Sequence, residues 1–461
     1  MDGSPEWAVN SENVHEGGAM LDMVKGSVFE PGNEGYDDER VGFQTAGPHR
    51  PAVIVAAADA DDVRAAVRYA AGQGLPVAVQ NTGHGLPLGA DGGLLISTRR
   101  MTGLRVDAEA RTVWIEAGVR WAQVVEEAAK HGLAPLSGSS PGVGAVSYTL
   151  GGGVGLMSRM YGFAADHVRS IDVVTADGRA RRVTPGDDLF WALLGGRANF
   201  GVVTGLEIGL LPVTRLYGGG LYFDAEHIPD VLETWRRWTA TVPDEMTSSV
   251  ALMPVPDIPV FPEPLRGRHV AHVRIAYLGE DGERLIEPLR AVAPRLIDTV
   301  DDMPYTESAT IHNEPPIPMA YHATNVALDS LDAGTVRDLL DLVGPGAPER
   351  AILEIRQLGG AMARQPSVPT AVGNRGAGYL VGVLSKLEPG ADVEPLHARV
   401  GDALAEKASG TLLNFLFGQN ATPDQVRRAY APETYRRLAE LKATYDPSNV
   451  FSLNHNIPPA T

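Results

Sequence analysis

The chain has 461 residues, 44% of them hydrophobic, and a formal net charge of −18 at pH 7. This size allows large cores and more than one domain, the acidic charge argues against nucleic acid or an anionic membrane as a partner, and the lack of cysteine excludes disulfides and thiolate chemistry. Because no basic, apolar leader and no apolar run of about 18 residues occurs, we expect a cytoplasmic protein.

The first part of the chain predicts an irregular arm followed by alternating elements. Residues 1–45 are rich in Gly, Glu, Asp and Asn, with one short helix expected near 18–24. Strand 52–56, a helix over 59–72 and a strand ending at Val79 predict a β-α-β unit.

The rest of the first half, up to residue 211, has many short elements. Asp177-Gly178 is a favoured hairpin turn within 171–183. The other predicted elements are strands 94–96, 104–106 and 112–116 and helix 121–131. The pattern indicates an α+β fold, with residues 46–211 as one domain.

A second domain is predicted over residues 212–410, as a sheet backed by helices. The change falls near Leu211-Pro212. The predicted strands are 216–223, 269–277, 351–358 and 379–383, and the predicted helices are 228–242, 283–292 and 331–343.

Two glycine-dense loops carry the strongest functional signal. Val79-Gln-Asn-Thr-Gly-His-Gly85 ends a strand and sets His84 between two glycines, and a second run spans 139–155. Glycine lets the main chain approach closely, so both loops suggest a polyanion bound by backbone N–H groups. An imidazole is not needed for phosphate binding alone, which makes His84 the unusual residue.

A competing interpretation is a dinucleotide-binding turn at Gly153-Val-Gly155, with Asp172 or Asp177 as the distal acidic residue. The third glycine of that fingerprint is absent. The segment also enters an Asp-Gly hairpin instead of a parallel crossover. An NAD-dependent dehydrogenase is therefore disfavoured.

The motifs resemble the FAD-linked oxidases of the vanillyl-alcohol oxidase and p-cresol methylhydroxylase (PCMH) type, in their berberine-bridge-enzyme-like branch. The loop around His84 resembles that family's histidine loop. The other matching segments are Leu150-Gly-Gly-Gly-Val-Gly155, Arg159-Met-Tyr-Gly-Phe-Ala-Ala-Asp166, Val174-Thr-Ala-Asp-Gly178, Asp188-Leu-Phe-Trp-Ala192, Gly196-Arg-Ala-Asn-Phe-Gly-Val-Val203, Tyr445-Asp-Pro-Ser-Asn-Val-Phe451 and Asn454-His-Asn-Ile-Pro-Pro459.

This resemblance implies a PCMH-type FAD-binding domain of two α/β subdomains, and a substrate domain whose antiparallel sheet is backed by helices. It also implies that residues 411–461 return to the FAD domain. His84 matches the histidine that bonds the flavin 8α-methyl group. Many relatives add a cysteine thioether at the position of Ser140, so this chain is expected to carry FAD through His84 alone.

Further cofactor positions follow from the same resemblance. Gln80 and Thr82 replace an arginine and a glycine of the family loop, so main-chain N–H groups should bind phosphate. The expected FAD-binding residues are Gln80, Asn81, Thr82, Gly83, His84, Gly85, Ser139, Ser140, Val143, Gly144, Ser147, Gly152, Gly153, Gly155, Gly201, Val203, Asn414, Asn454 and Asn456. No metal site is predicted.

The resemblance also bears on the electron acceptor. Val143 occupies a position where the family places valine in oxidases and a bulkier leucine in dehydrogenases. This implies that dioxygen reaches the flavin. A dehydrogenase with another electron acceptor remains the alternative activity, and a simple core-packing role remains the alternative for Val143.

The catalytic base is left open among several residues. Strand alternation puts Glu354 and Arg356 on the same face. They are either a catalytic pair or a solvated ion pair. Tyr379 lies on an apolar strand, with a sheet-packed tyrosine as the plain alternative. The candidates are Tyr321, His322, Glu354, Tyr379 and Asn456.

The expected activity is oxidation of a C–OH or C–N bond in a small molecule, such as a secondary metabolite, with hydride transfer to flavin N5 and dioxygen as acceptor. A flavin-holding protein without catalysis is the alternative from another functional class. Oligomeric state cannot be read from the pattern.

Overall fold

The computed structural model describes residues 21–87 and 89–461. Of the helix expected near 18–24, residues 18–20 lie outside the described residues, and in the rest only Leu21 is helical, followed by a turn. The predicted arm is more regular than expected, because it contains strand β1 (Ser27–Phe29) and helix α1 (Tyr36–Arg40). Strand β1 extends the first sheet by pairing antiparallel with the next strand.

The first sheet has four strands in the order β1-β2-β4-β3, with β2 (Val53–Ala56), β3 (Val77–Gln80) and β4 (Leu94–Ser97) mutually parallel. Helix α2 (Ala60–Gln73) links β2 to β3. Its N-cap Asp59 accepts hydrogen bonds from two backbone N–H groups of the first turn. The predicted β-α-β unit is thus confirmed.

The second sheet is antiparallel, in the order β5-β6-β9-β7-β8. Its strands are β5 (Leu104–Asp107), β6 (Thr112–Glu116), β7 (Val168–Val174), β8 (Ala180–Val183) and β9 (Val202–Gly209). The accompanying helices are α3 (Trp121–Ala129), α4 (Ala145–Leu150), α5 (Ser158–Tyr161) and α6 (Asp188–Gly196). Because β7 pairs antiparallel with both β8 and β9, no dinucleotide-binding crossover follows the second glycine run.

The third sheet has nine antiparallel strands, in the order β13-β10-β12-β11-β16-β17-β15-β18 with β14 beside β10. The strands are β10 (Arg215–Asp224), β11 (Met246–Pro254), β12 (His269–Tyr277), β13 (Ile297–Asp298), β14 (Asp301–Pro304), β15 (Tyr321–Leu328), β16 (Ile352–Gln357), β17 (Tyr379–Lys386) and β18 (Ala408–Gly410). One of its faces packs on α7 (Ile228–Thr239), α8 (Gly282–Ala291), α9 (Ala333–Val343) and α10 (Glu394–Leu404).

The two faces of this sheet have different neighbours. In β17, Val381 and Val383 belong to the core shared with the helices. Leu380 points the other way and packs with Val154 and Phe163 of the first half of the chain. We call these the helix-facing side and the inner face, and the inner face is the one that meets the glycine loops.

The C-terminal tail contains α11 (Pro423–Arg427) and α12 (Pro432–Tyr445) and packs on the second sheet's core. Its anchor is Lys442, fully buried, which donates to Asp446 Oδ2 at 2.6 Å and to the carbonyls of Asn199 and Phe451 at 2.7 and 3.0 Å. All three ammonium donors therefore have acceptors, as a buried charge requires.

No helix in the described part of the chain is both long and apolar enough to cross a membrane. Within the same residues, no group of His, Asp and Glu side chains is arranged to hold a metal ion.

Candidate active site

The turn after β3 holds His84 in a closed environment. Its ring stacks on Phe43 with the centroids 3.9 Å apart, and its Nδ1 lies 2.9 Å from Thr82 Oγ1. Its Nε2 is buried and has no partner within the described structure. Burial, reinforced by Arg120, lowers the pKa of His84 to about 4, so the imidazole is neutral at pH 7 and keeps a nucleophilic lone pair.

The same turn presents backbone donors. Gly83 and Gly85 have φ of 69° and 61°, a left-handed conformation that glycine tolerates. The N–H groups of Thr82, Gly83 and His84 make no hydrogen bond to any described residue. Consecutive free N–H groups of this kind form an anion-binding concavity. The first loop therefore suits a phosphate group.

The second glycine run differs from expectation. Gly152 N–H donates to the Thr149 carbonyl and Gly155 N–H donates to Ser158 Oγ, so these two amides are not free to bind phosphate. A Cβ on Gly155 would lie 2.0 Å from the Ser137 carbonyl oxygen, and one on Gly153 would meet the Tyr148 ring at 2.5 Å. Close packing of the chain on itself is the reason for these glycines.

The segment before α4 contacts the His84 ring. A Cβ built on Gly142 would lie 3.8 Å from His84 Cε1 and 4.0 Å from Ser140 Oγ, so these residues are neighbours. Val143 is half-buried beside them, at the edge of the second sheet's core. The structure thus places the segment that contains Ser140 and Gly142 beside His84.

Other predicted cofactor residues have structural partners. The buried Gln80 side chain bonds His49 at 3.1 Å, and Asn81 donates to the Ala117 carbonyl at 3.0 Å. Val203 lies in β9 opposite Val173. The remaining predicted positions are Ser139, which lines the cavity described below, Gly144, which caps α4, Ser147, which is exposed, and Gly201, which packs on β7.

The tail contributes three asparagines with open carbonyl oxygens. Asn414 donates to the Tyr148 carbonyl at 2.9 Å and Asn454 to Ala198 at 3.2 Å. The Oδ1 atoms of Asn414, Asn454 and Asn456 are buried without partners in the described structure. Buried polar atoms are normally hydrogen-bonded, so this set is typical of a site that holds a polar ligand.

Arg197 is a site residue that the sequence analysis did not single out. Its guanidinium lies 3.2 Å from His455 Nδ1 and 3.4 Å from the Ser147 carbonyl oxygen. His455 Nε2 lies 2.7 Å from the Leu416 carbonyl, which makes Nε2 the donor and leaves Nδ1 to accept from Arg197. Arg197 thus ties the tail to α4. The sequence could have indicated Arg197 as a site residue, because it lies inside the Gly-Arg-Ala-Asn-Phe-Gly motif.

The inner face of the third sheet carries a buried charge cluster. Glu354 bonds Arg274 through one oxygen and lies 2.9 Å from Arg356 Nε through the other. Burial acts to raise the pKa of the Glu354 carboxyl, but Arg356 and Arg274 outweigh it and hold the pKa below its ordinary value. The shared face of Glu354 and Arg356 is confirmed, as a buried pair and not a solvated one.

A small cavity lies between this cluster and the second glycine run. Its walls come from both halves of the chain. The lining residues include Ser139, Gly155 and Leu156 on one side and Thr247, Ser249, Arg274, His312 and Arg356 on the other. Apolar pockets with a few convergent polar groups suit small organic ligands.

His312 is a second residue that the sequence analysis missed. It is buried in the cavity wall, and its Nδ1 lies 3.9 Å from Glu354 Oε1 without a hydrogen bond among the described residues. Burial and the nearby arginines hold the pKa of His312 well below its ordinary value, so the ring is neutral. A single histidine in an irregular segment gave no pattern to detect.

Three predicted catalytic residues divide between the two faces. Tyr321 lies on the inner face, where burial raises the pKa of its hydroxyl to about 12 and the Gly85 backbone is within reach. His322 points to the helix-facing side, stacked edge-on against His397 at 4.3 Å. Tyr379 also points there, and its hydroxyl lies 2.7 Å from Thr239 Oγ1. This placement contradicts a pocket role for Tyr379 and His322.

The residues present fit FAD. A pyrophosphate would find free N–H groups at residues 82–84, and a polar ring system would find the open side-chain atoms of His84, Asn414 and Asn456. The cavity lined by Ser139, Gly155 and Arg356 is a candidate place for a substrate.

Comparison with known proteins agrees with this geometry. The FAD binding domain model matches residues 51–184, and the berberine and berberine-like model matches residues 413–458. The chain is 30% identical to (R)-6-hydroxynicotine oxidase of Paenarthrobacter nicotinovorans, over 95% of this chain and 97% of that protein. It is 26% identical to the FAD-linked oxidoreductase YgaK of Bacillus subtilis, over 95% and 97%.

A solved structure shows the same fold. The crystal structure of 6-hydroxy-D-nicotine oxidase from Arthrobacter nicotinovorans superposes with a TM-score of 0.82 at 27% identity, covering 95% of this chain and 98% of that one. The chain therefore belongs to the FAD-dependent oxidases with a PCMH-type FAD-binding domain, in their berberine-bridge-enzyme-like branch.

Proposed function

We propose that this protein is an oxidase that carries FAD on His84 and oxidises a C–OH or C–N bond of a small molecule, with dioxygen as the electron acceptor. The observation that carries the proposal is the neutral, buried His84 imidazole beside three free N–H groups. The similarity to (R)-6-hydroxynicotine oxidase supports a small organic substrate.

The linkage proposal rests on the state of the His84 ring. A neutral imidazole nitrogen is a nucleophile, whereas the protonated form is not. Stacking on Phe43 fixes the ring plane and Thr82 fixes one nitrogen. Ser140 has no thiol to offer, so a second bond is not available.

The bound flavin would supply hydride acceptance from the substrate carbon. The protein must orient that carbon and accept the proton of its hydroxyl or amine. Of the residues lining the cavity, His312 is the best placed to accept it, because it is neutral and its Nδ1 is open. Glu354 Oε1 lies 3.9 Å from that nitrogen.

Two measurements test the oxidase proposal together. Purified protein is mixed anaerobically with a panel of alcohols, sugars, amines and carboxylated compounds, and the flavin absorbance is followed. The same panel is then screened in air for hydrogen peroxide. We expect at least one compound to bleach the flavin and release peroxide. Bleaching without peroxide would favour a dehydrogenase, and no bleaching across the panel would favour a flavin-holding protein.

A further inference from the structure

The buried charge cluster on the inner face is not neutral. Two guanidinium groups, Arg274 and Arg356, share the one carboxylate of Glu354. Their side chains are only 7% and 12% exposed. One positive charge is therefore in excess, in a place where unpaired charge is costly.

Neighbouring groups do not cancel this charge. His272 and His312 are neutral, since burial keeps the pKa of each well below its ordinary value. Glu314 lies 3.7 Å from His312 Nδ1, but it is 39% exposed and bonds neither arginine, so water screens it.

The two arginines differ in how many of their guanidinium nitrogens have hydrogen-bond partners. Arg274 bonds Glu354 through Nη1 and His272 through Nε, and its Nη2 lies 4.0 Å from Met253 Sδ. Arg356 directs both Nε and Nη2 at the same oxygen of Glu354. Its Nη1 has no hydrogen-bond partner in the described part of the chain. The excess charge thus has one open donor.

Open hydroxyls lie beside that donor. Ser249 is directly opposite Arg356 in the strand register, and Thr247 precedes it on the same face. The hydroxyl oxygens of both are buried without partners in the described structure, and both residues line the cavity. A guanidinium N–H with two hydroxyl donors is a set that binds a carboxylate.

Arg356 places these three donor groups, its own guanidinium and the Ser249 and Thr247 hydroxyls, near the C-terminal tail. Its guanidinium lies over the ring of Phe415, at 5.1 Å, and Phe415 follows Asn414 in the chain. An anion held by Arg356 would therefore lie at the cavity wall, on the side of the tail segment that carries Asn414.

We infer that the substrate is a monoanion whose carboxylate binds Arg356, Ser249 and Thr247. This rests on the proposed function, since it names the class of its substrate. A single excess charge matches a carboxylate better than a phosphate dianion. Suitable classes are hydroxy acids, sugar acids and N-substituted amino acids, which all share the carboxylate.

The first experiment measures binding with unreactive probes. Benzoate, benzamide and inorganic phosphate are titrated into the oxidised holoenzyme by calorimetry, with flavin absorbance as a second readout. We expect benzoate to bind about 10- to 100-fold more tightly than benzamide, the range for hydrogen bonds to a charged group. Equal affinity for both would overturn the inference, and so would tighter binding of phosphate.

Single-residue variants test which side chains cause the preference for benzoate over benzamide. Arg356→Gln should remove the preference for benzoate, and Ser249→Ala, which leaves every charge in place, should reduce it. Arg364→Gln is the matched control, because Arg364 is 62% exposed and pairs with Asp244 outside the cavity. An unchanged preference in Arg356→Gln or Ser249→Ala would refute the assignment. A role of Arg356 in supporting the flavin alone would shift the flavin potential and leave the benzoate preference intact.

The second experiment separates this inference from the oxidase proposal. Matched substrate pairs, each a carboxylate and its amide, are compared for anaerobic flavin bleaching. Peroxide release from neutral compounds only would keep the oxidase and refute the anion site. Tight benzoate binding with no compound oxidised would keep the anion site and refute the oxidase.

Discussion

Glu354 and Tyr379 lie on adjacent strands of one sheet, and their side chains point to opposite faces. Glu354 pairs directly with Gly382, which is an odd number of residues from Tyr379. Strand alternation therefore puts Glu354 on the inner face and Tyr379 against α7. Glu354, and not Tyr379, lies on the face that meets the glycine loops, and five predictions follow from this division and from the geometry of the site.

Tyr379→Phe tests the helix-facing placement. The Thr239 hydroxyl donates to the Arg236 carbonyl, so Tyr379 is the donor in its bond to Thr239. Loss of this buried bond should lower the free energy of unfolding by about 1 kcal/mol. Anaerobic flavin reduction should stay within a few-fold of wild type. Denaturant titration and stopped-flow absorbance measure the two effects. A reductive rate lower by about 10²–10⁴ would instead restore Tyr379 as an acid or base.

His312→Gln tests the proton acceptor. Glutamine keeps a polar side chain and removes the basic nitrogen, so the anaerobic reduction rate should fall by about 10²–10⁴. Stopped-flow reduction with a substrate from the panel gives the rate, and its pH profile should lose the wild-type ionisation. His131→Gln, an exposed histidine, serves as the control. A wild-type rate in His312→Gln would transfer the role to Tyr321 or Glu354.

His84→Ala tests the covalent bond. Wild-type protein precipitated with acid should keep its flavin, and peptide mass mapping should find it on the His84 peptide. The variant should release FAD into the supernatant and turn over more slowly. Ser140→Ala is the control, and its flavin should remain acid-stable. Flavin in the wild-type supernatant, or on a peptide without His84, would contradict the linkage.

Val143→Leu tests access of dioxygen. The half-buried Val143 lies next to the His84 and Ser140 segment. A larger side chain should slow flavin reoxidation in air and leave anaerobic reduction nearly unchanged. Rapid mixing of the reduced protein with aerated buffer measures this. Val143→Ala should reoxidise at least as fast as wild type. Slow reoxidation of the wild type itself would point to another electron acceptor.

The buried histidines predict a loss of stability on mild acidification. Burial lowers the pKa of His49 to about 4 and that of His455 to about 3, below the unfolded value of about 6.5. Between these values the unfolded chain binds protons that the folded chain does not, so stability falls as pH drops from about 6.5 towards 4. Each such histidine contributes up to about 1.4 kcal/mol per pH unit to this decrease in the free energy of unfolding.

Denaturant unfolding at several pH values measures this slope. His49→Gln should reduce the slope, because the His49 side chain is buried and its ring nitrogens bond the Ala90 N–H and the Gln80 side chain. His131→Gln should leave it unchanged. A stability that is flat between pH 7 and 5 would contradict the prediction.

The local sequence determined much of this protein. The capping aspartate and closing glycine of α2 and the Asp-Gly turn of the β7–β8 hairpin are short-range signals, and the structure reproduces each. The histidine loop and the tail motifs indicated the family because they are continuous in sequence. The shared face of Glu354 and Arg356 followed from strand alternation alone.

Only the tertiary structure decided which face of each strand meets the cavity. Alternation divides residues into two sets but does not say which set the helices cover, so a pocket role and a sheet-packed role both stayed open for Tyr379 until the structure placed it against the helices. The sequence does not show that the Gly152 and Gly155 amides of the second glycine run are already hydrogen-bonded within the chain. Arg274, His312 and Arg356 meet through sheet pairing across distant segments, and no local pattern connects residues brought together in that way.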